Sequence, residues 1–302
     1  MNMIYYTIKY IEYLIRKFRS FFITDFYFHT TRLYKITAKY PNLKKPETLS
    51  EKICHRLIFD HDPLYTLLAD KLAVREYVQT KTQLVKIVPL IGVYNKVTDI
   101  DFNKLPDIFV LKCNHDSGST IICTDKKKFD SAKAMRKLKL ALSKNMYYIT
   151  KEWQYKNIRP VILCEKYIDF SSCDITMPKM LRIHCFHSAP IFAEADFTDQ
   201  NGNEFINVYD SLWQLQTFKM EFPNTPNTIQ MPESFHVALA AAKELSQELD
   251  YCRIDLMLKG DEVYFSEITL SPMRGKLKIT PQTWDARLGN MWDLPLRKTN
   301  LK

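Results

Sequence analysis

The sequence predicts an α+β fold. Apolar runs of strand length and helical periodicities both occur, and they do not alternate as regular βα units. Two adjacent runs, 252–258 and 263–270, read as an antiparallel hairpin around Lys259, Gly260 and Asp261. A doubly wound parallel sheet would instead show steady strand–helix alternation.

The length of 302 residues suggests about two domains at roughly 150 residues each. Hydrophobic residues make up 46% of the chain, and no low-complexity tract interrupts it, which excludes an extensively disordered protein. Only 6 Gly and 14 Pro exclude a collagen-like one. Cys54, Cys113, Cys123, Cys164, Cys173, Cys185 and Cys252 form no C-x-x-C pair and mostly sit in apolar runs. That is the usage of reduced, buried thiols in a cytoplasmic protein rather than of a disulfide scaffold or a zinc site.

The first element, within an arm over 1–45, is an amphipathic basic helix. Ile4, Ile8, Ile11, Ile15, Phe18 and Phe22 recur at steps of four and three, with Lys9, Glu12, Arg16 and Arg19 on the other side. Such a stripe serves equally for packing on its own domain or for lying on an anionic membrane surface or a membrane-bound assembly protein at the inner face of the cell membrane. No run of about 18 apolar residues exists to span a bilayer, and the start lacks the pattern of a secretory signal. The net charge of +9 does not imply nucleic acid: Lys126, Lys127 and Lys128 read as a solvated loop, and no nucleic-acid-binding motif accompanies them.

Pro41, Pro46 and Pro63 punctuate the passage into a subdomain over 46–108. Thr48 and Glu51 have capping-box spacing. Asp62 before Pro63 predicts a helix over 64–80. Strands are expected at 109–113 and 121–124. Asp130 is expected to cap a helix over 131–144 with Met135, Leu138 and Leu142 inward. Strands follow at 161–168, 181–186 and 191–195. Pro232 opens a helix with Val237, Ala241, Leu245 and Leu249 on one face.

The hairpin carries the most chemistry. Alternation puts Arg253, Asp255 and Met257 on one strand face, and Phe265, Glu267 and Thr269 on the other strand's face. A loop centred on Asp261 sets Asp255 opposite Glu267, with Cβ atoms about 5 Å apart. Two such carboxylates suit a divalent cation such as Mg²⁺; a solvated sheet face with Arg253 neutralising one acid fits equally. Upstream, Lys112 lies inside an apolar strand, where an anion would offset its burial. The short polar loop 114–119 behind it could form an anion nest or a plain turn. The D-x-D spacings at Asp60/Asp62 and Asp99/Asp101 read as caps and turns. His184 and His187 fall on opposite strand faces and suit packed or solvated roles, as Met177 and Met180 suit packing.

In order, Ala69-Asp70-Lys71, Val110-Leu111-Lys112 with its loop, Glu165-Lys166-Tyr167-Ile168 and the Asp255/Glu267 hairpin resemble an ATP-grasp ligase. The segments 45–52, 62–71, 74–78, 89–94, 109–119, 152–157 and 253–256 are similar to the TupA-like, teichuronopeptide-biosynthesis branch of that superfamily, over about residues 40–290. The resemblance implies an ATP-grasp fold, with a lobe over 109–168 and a second over 169–302 holding the nucleotide between them. It implies that Lys71, Lys112 and Arg182 contact ATP phosphates, that His115, Ser117, Gly118 and Ser119 belong to the closing loop, and that Glu165, Lys166, Tyr167 and Ile168 form the adenine-binding hinge. Asp255, Glu267 and Thr269 would hold Mg²⁺, and Arg253 and Arg274 are the candidate catalytic residues, Arg274 as a carboxylate clamp. The implied activity is ATP-dependent amide formation through an acyl phosphate. Its partners would be an amino acid and a carboxylated sugar such as a uronic acid in a surface-polysaccharide intermediate. A nucleotide-sugar glycosyltransferase and a noncatalytic nucleotide-binding protein are the rival readings. Three departures stand out against relatives: Asp116 in place of Gly, Met180-Leu181-Arg182 in place of Asp-Tyr-Lys, and Ser271–Gly275 in place of a Gly-rich ending.

Overall fold

The computed structural model describes residues 3–169, 177–199, 201–227 and 229–295. Its helices are α1 (Met3–Ser20), α2 (Asp25–Thr37), α3 (Leu49–Phe59), α4 (Pro63–Ala69), α5 (Val74–Lys81), α6 (Ser131–Leu142), α7 (Tyr147–Thr150), α8 (Phe235–Leu245) and α9 (Thr283–Gly289). Its strands are β1 (Lys86–Ile87), β2 (Leu90–Tyr94), β3 (Phe109–Cys113), β4 (Ile121–Cys123), β5 (Ile162–Lys166), β6 (Met180–Phe186), β7 (Ala189–Thr198), β8 (Glu204–Asp210), β9 (Lys219–Met220), β10 (Tyr251–Lys259), β11 (Glu262–Thr269) and β12 (Ile279–Thr280). The expected mixture without βα alternation is what forms.

The chain divides into two compact units. The first comprises 1–28, 62–75 and 88–168. It carries an antiparallel sheet of order β2-β5-β3-β4. Phe109, Leu111 and Cys113 of β3 point into a core with Ile162 and Cys164 of β5, closed by Leu138 of α6. Asp130 caps α6 through Lys133 N at 2.8 Å. Small residues set this packing: Ala134 and Ala141 are buried beside Leu138, while Met135 and Leu142 are only half-buried. The single helix expected over 64–80 is two, α4 and α5. Asp70 breaks it by accepting from Leu72 N at 2.8 Å, which replaces helical bonding with a turn.

In α1 the stripe of Ile and Phe does not pack inward. Tyr6 and Tyr13 are the buried side chains, and Asn145 N donates to the Tyr13 hydroxyl at 3.0 Å. Ile4, Ile8, Ile11, Ile15, Phe18 and Phe22 are all at least half exposed.

The second unit comprises 29–61, 76–87 and 169–302. Its sheet has order β1-β11-β10-β6-β7-β8, antiparallel except for the parallel β1–β11 pair. Thr48 and Glu51 form the expected capping box of α3. Leu49, Ile53 and Leu57 of α3 pack with Phe218, Tyr251 and Trp292. α8 starts at Phe235, three residues after Pro232; Ala241 and Leu245 are buried as expected, Val237 is exposed, and Leu249 is buried beyond the helix end. Cys54, Cys113, Cys123, Cys164, Cys185 and Cys252 are buried free thiols, and Cys173 lies outside the described residues.

Arg56 is the most enclosed cation of this unit. It donates to the carbonyls of Tyr251 (2.7 Å) and Leu270 (3.0 Å), pairs with Asp250, and stacks over Trp292. Replacing it with Leu leaves two buried carbonyls without the guanidinium donor and Asp250 without its charge partner, held only by Tyr251 N and Trp292 Nε1. We expect Arg56→Leu to lose about 3–5 kcal/mol of unfolding free energy, read by urea titration of tryptophan fluorescence.

Candidate functional site

In the first unit, sheet register brings two predicted residues together. β3 pairs with β5 so that Val110 lies opposite Glu165, and alternation puts Lys112 on the same face. Lys112 Nζ is 2.6 Å from Glu165 Oε2. Arg75 Nη1 is 3.3 Å from the other carboxylate oxygen, and its Nη2 donates to the Val88 carbonyl at 2.6 Å. A buried carboxylate flanked by an ammonium and a guanidinium leaves a local positive surplus. Burial pushes the Arg75 guanidinium down, with Glu165 opposing. β5 ends at Lys166, whose N–H donates to the Pro89 carbonyl; Tyr167 and Ile168 lie just past the strand.

The break between α4 and α5 positions Lys71. Asp70 also accepts from Asn114 Nδ2 at 2.8 Å, and Lys71 N donates to the Asn114 carbonyl at 3.0 Å. Lys71 Nζ then reaches the carbonyl of Asp116 at 2.7 Å. Within the loop, the Ser119 hydroxyl accepts from Cys113 N at 2.8 Å and donates to the Asp116 carboxylate at 2.5 Å. Asp116, the departure from Gly, therefore has its side chain engaged inside the loop. Ser117 and Gly118 form the exposed tip, where Gly118 has φ +108°, a conformation that excludes ordinary side chains. His115 does not reach the tip: its ring is buried, with Nε2 3.0 Å from the Lys144 carbonyl.

In the second unit, four strands put charge on one sheet face. Asp255 lies opposite Arg182 on one side and Glu267 on the other; Arg182 lies opposite Glu194. The hairpin turn is two residues, with Lys259 opposite Glu262 and Gly260 at φ +61°. A turn of that length alone would set Asp255 opposite Ser266. A β-bulge between Asp255 and Leu256 in the pairing shifts the register and brings Glu267 opposite Asp255. The expected pairing forms, but through the bulge rather than a loop centred on Asp261. The bulge also removes Phe265 from this face, because Phe265 pairs with Leu256.

Arg253 holds Asp255 with both nitrogens of one edge, Nε at 2.7 Å and Nη2 at 2.6 Å. Its Nη2 lies 3.4 Å from the Thr269 hydroxyl, which donates to Glu267 at 3.0 Å. Arg182 pairs with Glu194 at 3.7 Å and with Asp196. His184 bridges Glu194 at 2.7 Å and the Tyr251 hydroxyl at 3.0 Å. Burial pushes Asp255 up to about 6 even with Arg253 beside it. Burial likewise pushes Asp196 up to about 7 against the pull of Arg182. Burial pushes His184 down, so the neutral ring donates to Glu194. For Glu194 burial acts upward, but His184, Arg253 and Arg182 outweigh it and hold the carboxyl low.

The donor chemistry of this face fits a hard divalent cation. Among the described residues, no three His, Cys, Asp or Glu side chains are gathered to enclose a metal. Asp255 and Glu267 supply two carboxylates, and Glu267 is about half exposed at 47%. Two carboxylates with open positions beside them are the donor set that Mg²⁺ ordinarily uses.

A family model for TupA-like ATP-grasp proteins matches residues 51–293. The chain belongs to the TupA-like ATP-grasp family. Its fold is accordingly ATP-grasp. No curated protein matches the sequence. Similar solved structures include a D-alanine–D-alanine ligase from Bacillus anthracis complexed with ATP, at 18% identity and TM-score 0.38, covering 68% of this chain and 54% of that one. An ATP-grasp ligase, PsnB, complexed with a minimal precursor matches at 12% identity and TM-score 0.40, covering 72% and 59%. N5-carboxyaminoimidazole ribonucleotide synthetase from Thermus thermophilus matches at 12% identity and TM-score 0.37, covering 68% and 45%. The chain thus spans about half the length of these structures, and the assignment rests on the family match.

Within this TupA-like chain, the sequence alone assigns no role to Arg75, Glu194 or Asp196. Arg75 sits on a helix 90 residues before Glu165, and nothing local marks the pair. Glu194 and Asp196 alternate in β7, which signals a shared face but not its partners. Arg274 stands apart. With Met273 it adopts left-handed backbone, φ +57° and +47°, and it forms no ion pair among the described residues. Two consecutive non-glycine residues held there cost about 1–3 kcal/mol each, sustained by Gly275, whose missing side chain lets α3 approach.

Removing Arg253 isolates Asp255 in the sheet. A carboxyl raised in the folded state favours folding at low pH, and that contribution is lost as pH rises through its folded pKa. In Arg253→Leu that pKa climbs above about 6. We expect the variant to lose about 3–5 kcal/mol at pH 8 and clearly less at pH 5, measured by urea unfolding at both.

Proposed function

We propose that the protein is an ATP-dependent carboxylate–amine ligase of surface-polysaccharide biosynthesis. It joins an amino acid to a carboxylated sugar of the uronic-acid type. The observation that carries this reading is the opposed Asp255/Glu267 pair, aligned by the bulge and braced by Arg253 and Thr269. The two cations that Lys112 and Arg75 set on the one Glu165 carboxylate support the complementary half of the assignment.

The roles follow from charge. Lys71 and Lys112 neutralise ATP phosphates, with the Ser117–Gly118 tip supplying backbone N–H groups over them. The chain past Glu165, from Lys166 to Ile168, presents backbone groups to the adenine edge. Asp255, Glu267 and Thr269 would hold Mg²⁺, which would supply charge neutralisation for the transferring phosphoryl group. Arg253 fixes Asp255, and Arg182 extends toward phosphate from its two acids. Arg274, rigidly displayed and outside the ion pairs of the described residues, binds the substrate carboxylate. The γ-phosphoryl group of ATP activates that carboxylate, and the amine displaces phosphate to form the amide. Positioning and charge neutralisation suffice for such a transfer, and no side-chain nucleophile is required.

The glycosyltransferase reading has less to stand on. Asp62 is an N-cap bonded to Leu64 N at 2.9 Å, and Asp101 caps Asn103 N at 3.1 Å. Asp99 accepts from Lys96 N. These aspartates serve backbone, not a sugar-nucleotide metal.

A thermal-shift titration with Mg-ATP and a UDP-sugar tests the assignment. Mg-ATP at 100 times its Kd should stabilise the wild type by about 2.7 kcal/mol. Glu267→Ala should lose the Mg²⁺-dependent part, and stabilisation by the UDP-sugar alone would overturn the reading. ADP release in the presence of both substrates should fall at least about 100-fold in Lys112→Met.

A further inference from the structure

α1 reverses the usual arrangement of an amphipathic helix. Its buried side is made of tyrosines and a serine: Tyr6, Tyr13 and Ser20 are enclosed. Asn145 N binds the Tyr13 hydroxyl, Lys151 Nζ donates to the Ser20 carbonyl at 2.8 Å, and Lys17 Nζ lies 5.1 Å over the Tyr148 ring. These contacts fix the rotation of the helix about its axis. At about 100° per residue, Ile4, Ile11 and Ile15 then point opposite Tyr6 and Tyr13, with Ile8 and Phe18 adjoining and Phe22 exposed in the turn past the helix end. Exposure runs from 50% for Ile8 and Ile11 to 74% for Phe22. This is a continuous row of large aliphatic and aromatic side chains, not scattered surface hydrophobics. The helix lies outside the stretch matched by the ATP-grasp family model, so the family fold does not require the row.

The flanking charge selects the occupant. α1 carries Lys9, Arg16, Lys17 and Arg19 against Glu12. Glu12 is already paired with Lys9 at 2.9 Å. Arg16 and Arg19 are exposed, Arg19 bordering the row and Arg16 farther round the polar side, and they form no ion pair among the described residues. Tyr5 and Tyr10, both exposed, lie on the row's flanks, as aromatic groups do at a boundary between water and hydrocarbon. A second copy docked stripe to stripe would set two cationic helices against each other. An anionic lipid surface satisfies both features at once. No described helix is long and apolar enough to cross a membrane, so α1 would lie along the surface.

We propose that α1 docks the protein onto anionic membrane, with Ile4, Ile8, Ile11, Ile15, Phe18 and Phe22 in the acyl boundary and Arg16 and Arg19 on the headgroups. The inference is independent of the nucleotide assignment, because α1 holds none of the residues placed in that site.

The test is co-sedimentation of the full chain with extruded vesicles. Wild type should pellet with vesicles of phosphatidylcholine and phosphatidylglycerol (about 3:1). The partition should be at least about tenfold lower with pure phosphatidylcholine. Ile11→Asp/Ile15→Asp and Arg16→Glu/Arg19→Glu should each lose at least about tenfold on the anionic vesicles while keeping the wild-type melting temperature. Wild-type protein that stays in the supernatant, or an isoleucine double variant that binds as wild type, would overturn the proposal. So would a dimer in sedimentation velocity that those substitutions dissolve, which would assign the row to a second copy. ATP turnover serves as the separate readout, expected unchanged in both variants.

Discussion

A carboxylate on a covered sheet face has to be neutralised, and the second unit is arranged around that requirement. Asp255 is almost fully enclosed between β6 and β11, so burial drives its pKa upward. Arg253 answers it with a two-point grip from two residues away on the same strand. Strand geometry makes that grip available, because residues two apart share a face. The neighbouring Arg182 is held in turn by Glu194 and Asp196, and His184 links Glu194 to Tyr251. With His184 neutral, four carboxyl groups (Asp255, Glu267, Glu194 and Asp196) face two guanidiniums. The face stays short of positive charge while every individual acid has a partner.

The first unit solves the opposite problem. Glu165 is buried and is contacted by two cations, Lys112 and Arg75. The Lys71 ammonium meets a carbonyl oxygen, that of Asp116, in the loop. A carbonyl satisfies an ammonium's hydrogen bond without cancelling its charge. The first unit sets two cations on one buried carboxylate, and the second sets four carboxyl groups against two guanidiniums.

Legibility in the sequence follows the range of the interaction. The capping box at Thr48, the caps at Asp62 and Asp130, and strand β3 all rest on contacts within a few residues, and they form as read. The helix expected over 64–80 fails because Asp70 is recruited by Asn114, 44 residues away. The hairpin is the instructive case. Alternation with a turn centred on Asp261 pairs Asp255 with Glu267, yet the real turn is tighter and a bulge makes up the difference. Period-two reasoning has no place for an inserted residue, so it misplaces Phe265 while pairing the acids. Proximity in sequence groups His115 with the loop tip, whereas its ring turns into the interior toward Lys144. The partner Arg75 reaches Glu165 from a helix 90 residues earlier, and Glu194 meets Arg182 and His184 only through the register of the β6–β7 hairpin.

The orientation of α1 is a further matter of range. A periodic apolar stripe tells only that one side of a helix prefers to leave water. It does not say whether protein or lipid receives it. Here hydrogen bonds and ring contacts of polar-tipped residues, Tyr13, Ser20 and Lys17, win the protein-facing side. Those groups have specific partners in α7 and the residues flanking it, and hydrocarbon could not supply them. The isoleucines have no such need and can be satisfied by any apolar phase. A helix that spends its polar side on the protein and presents its apolar side outward is built for a surface that water does not occupy.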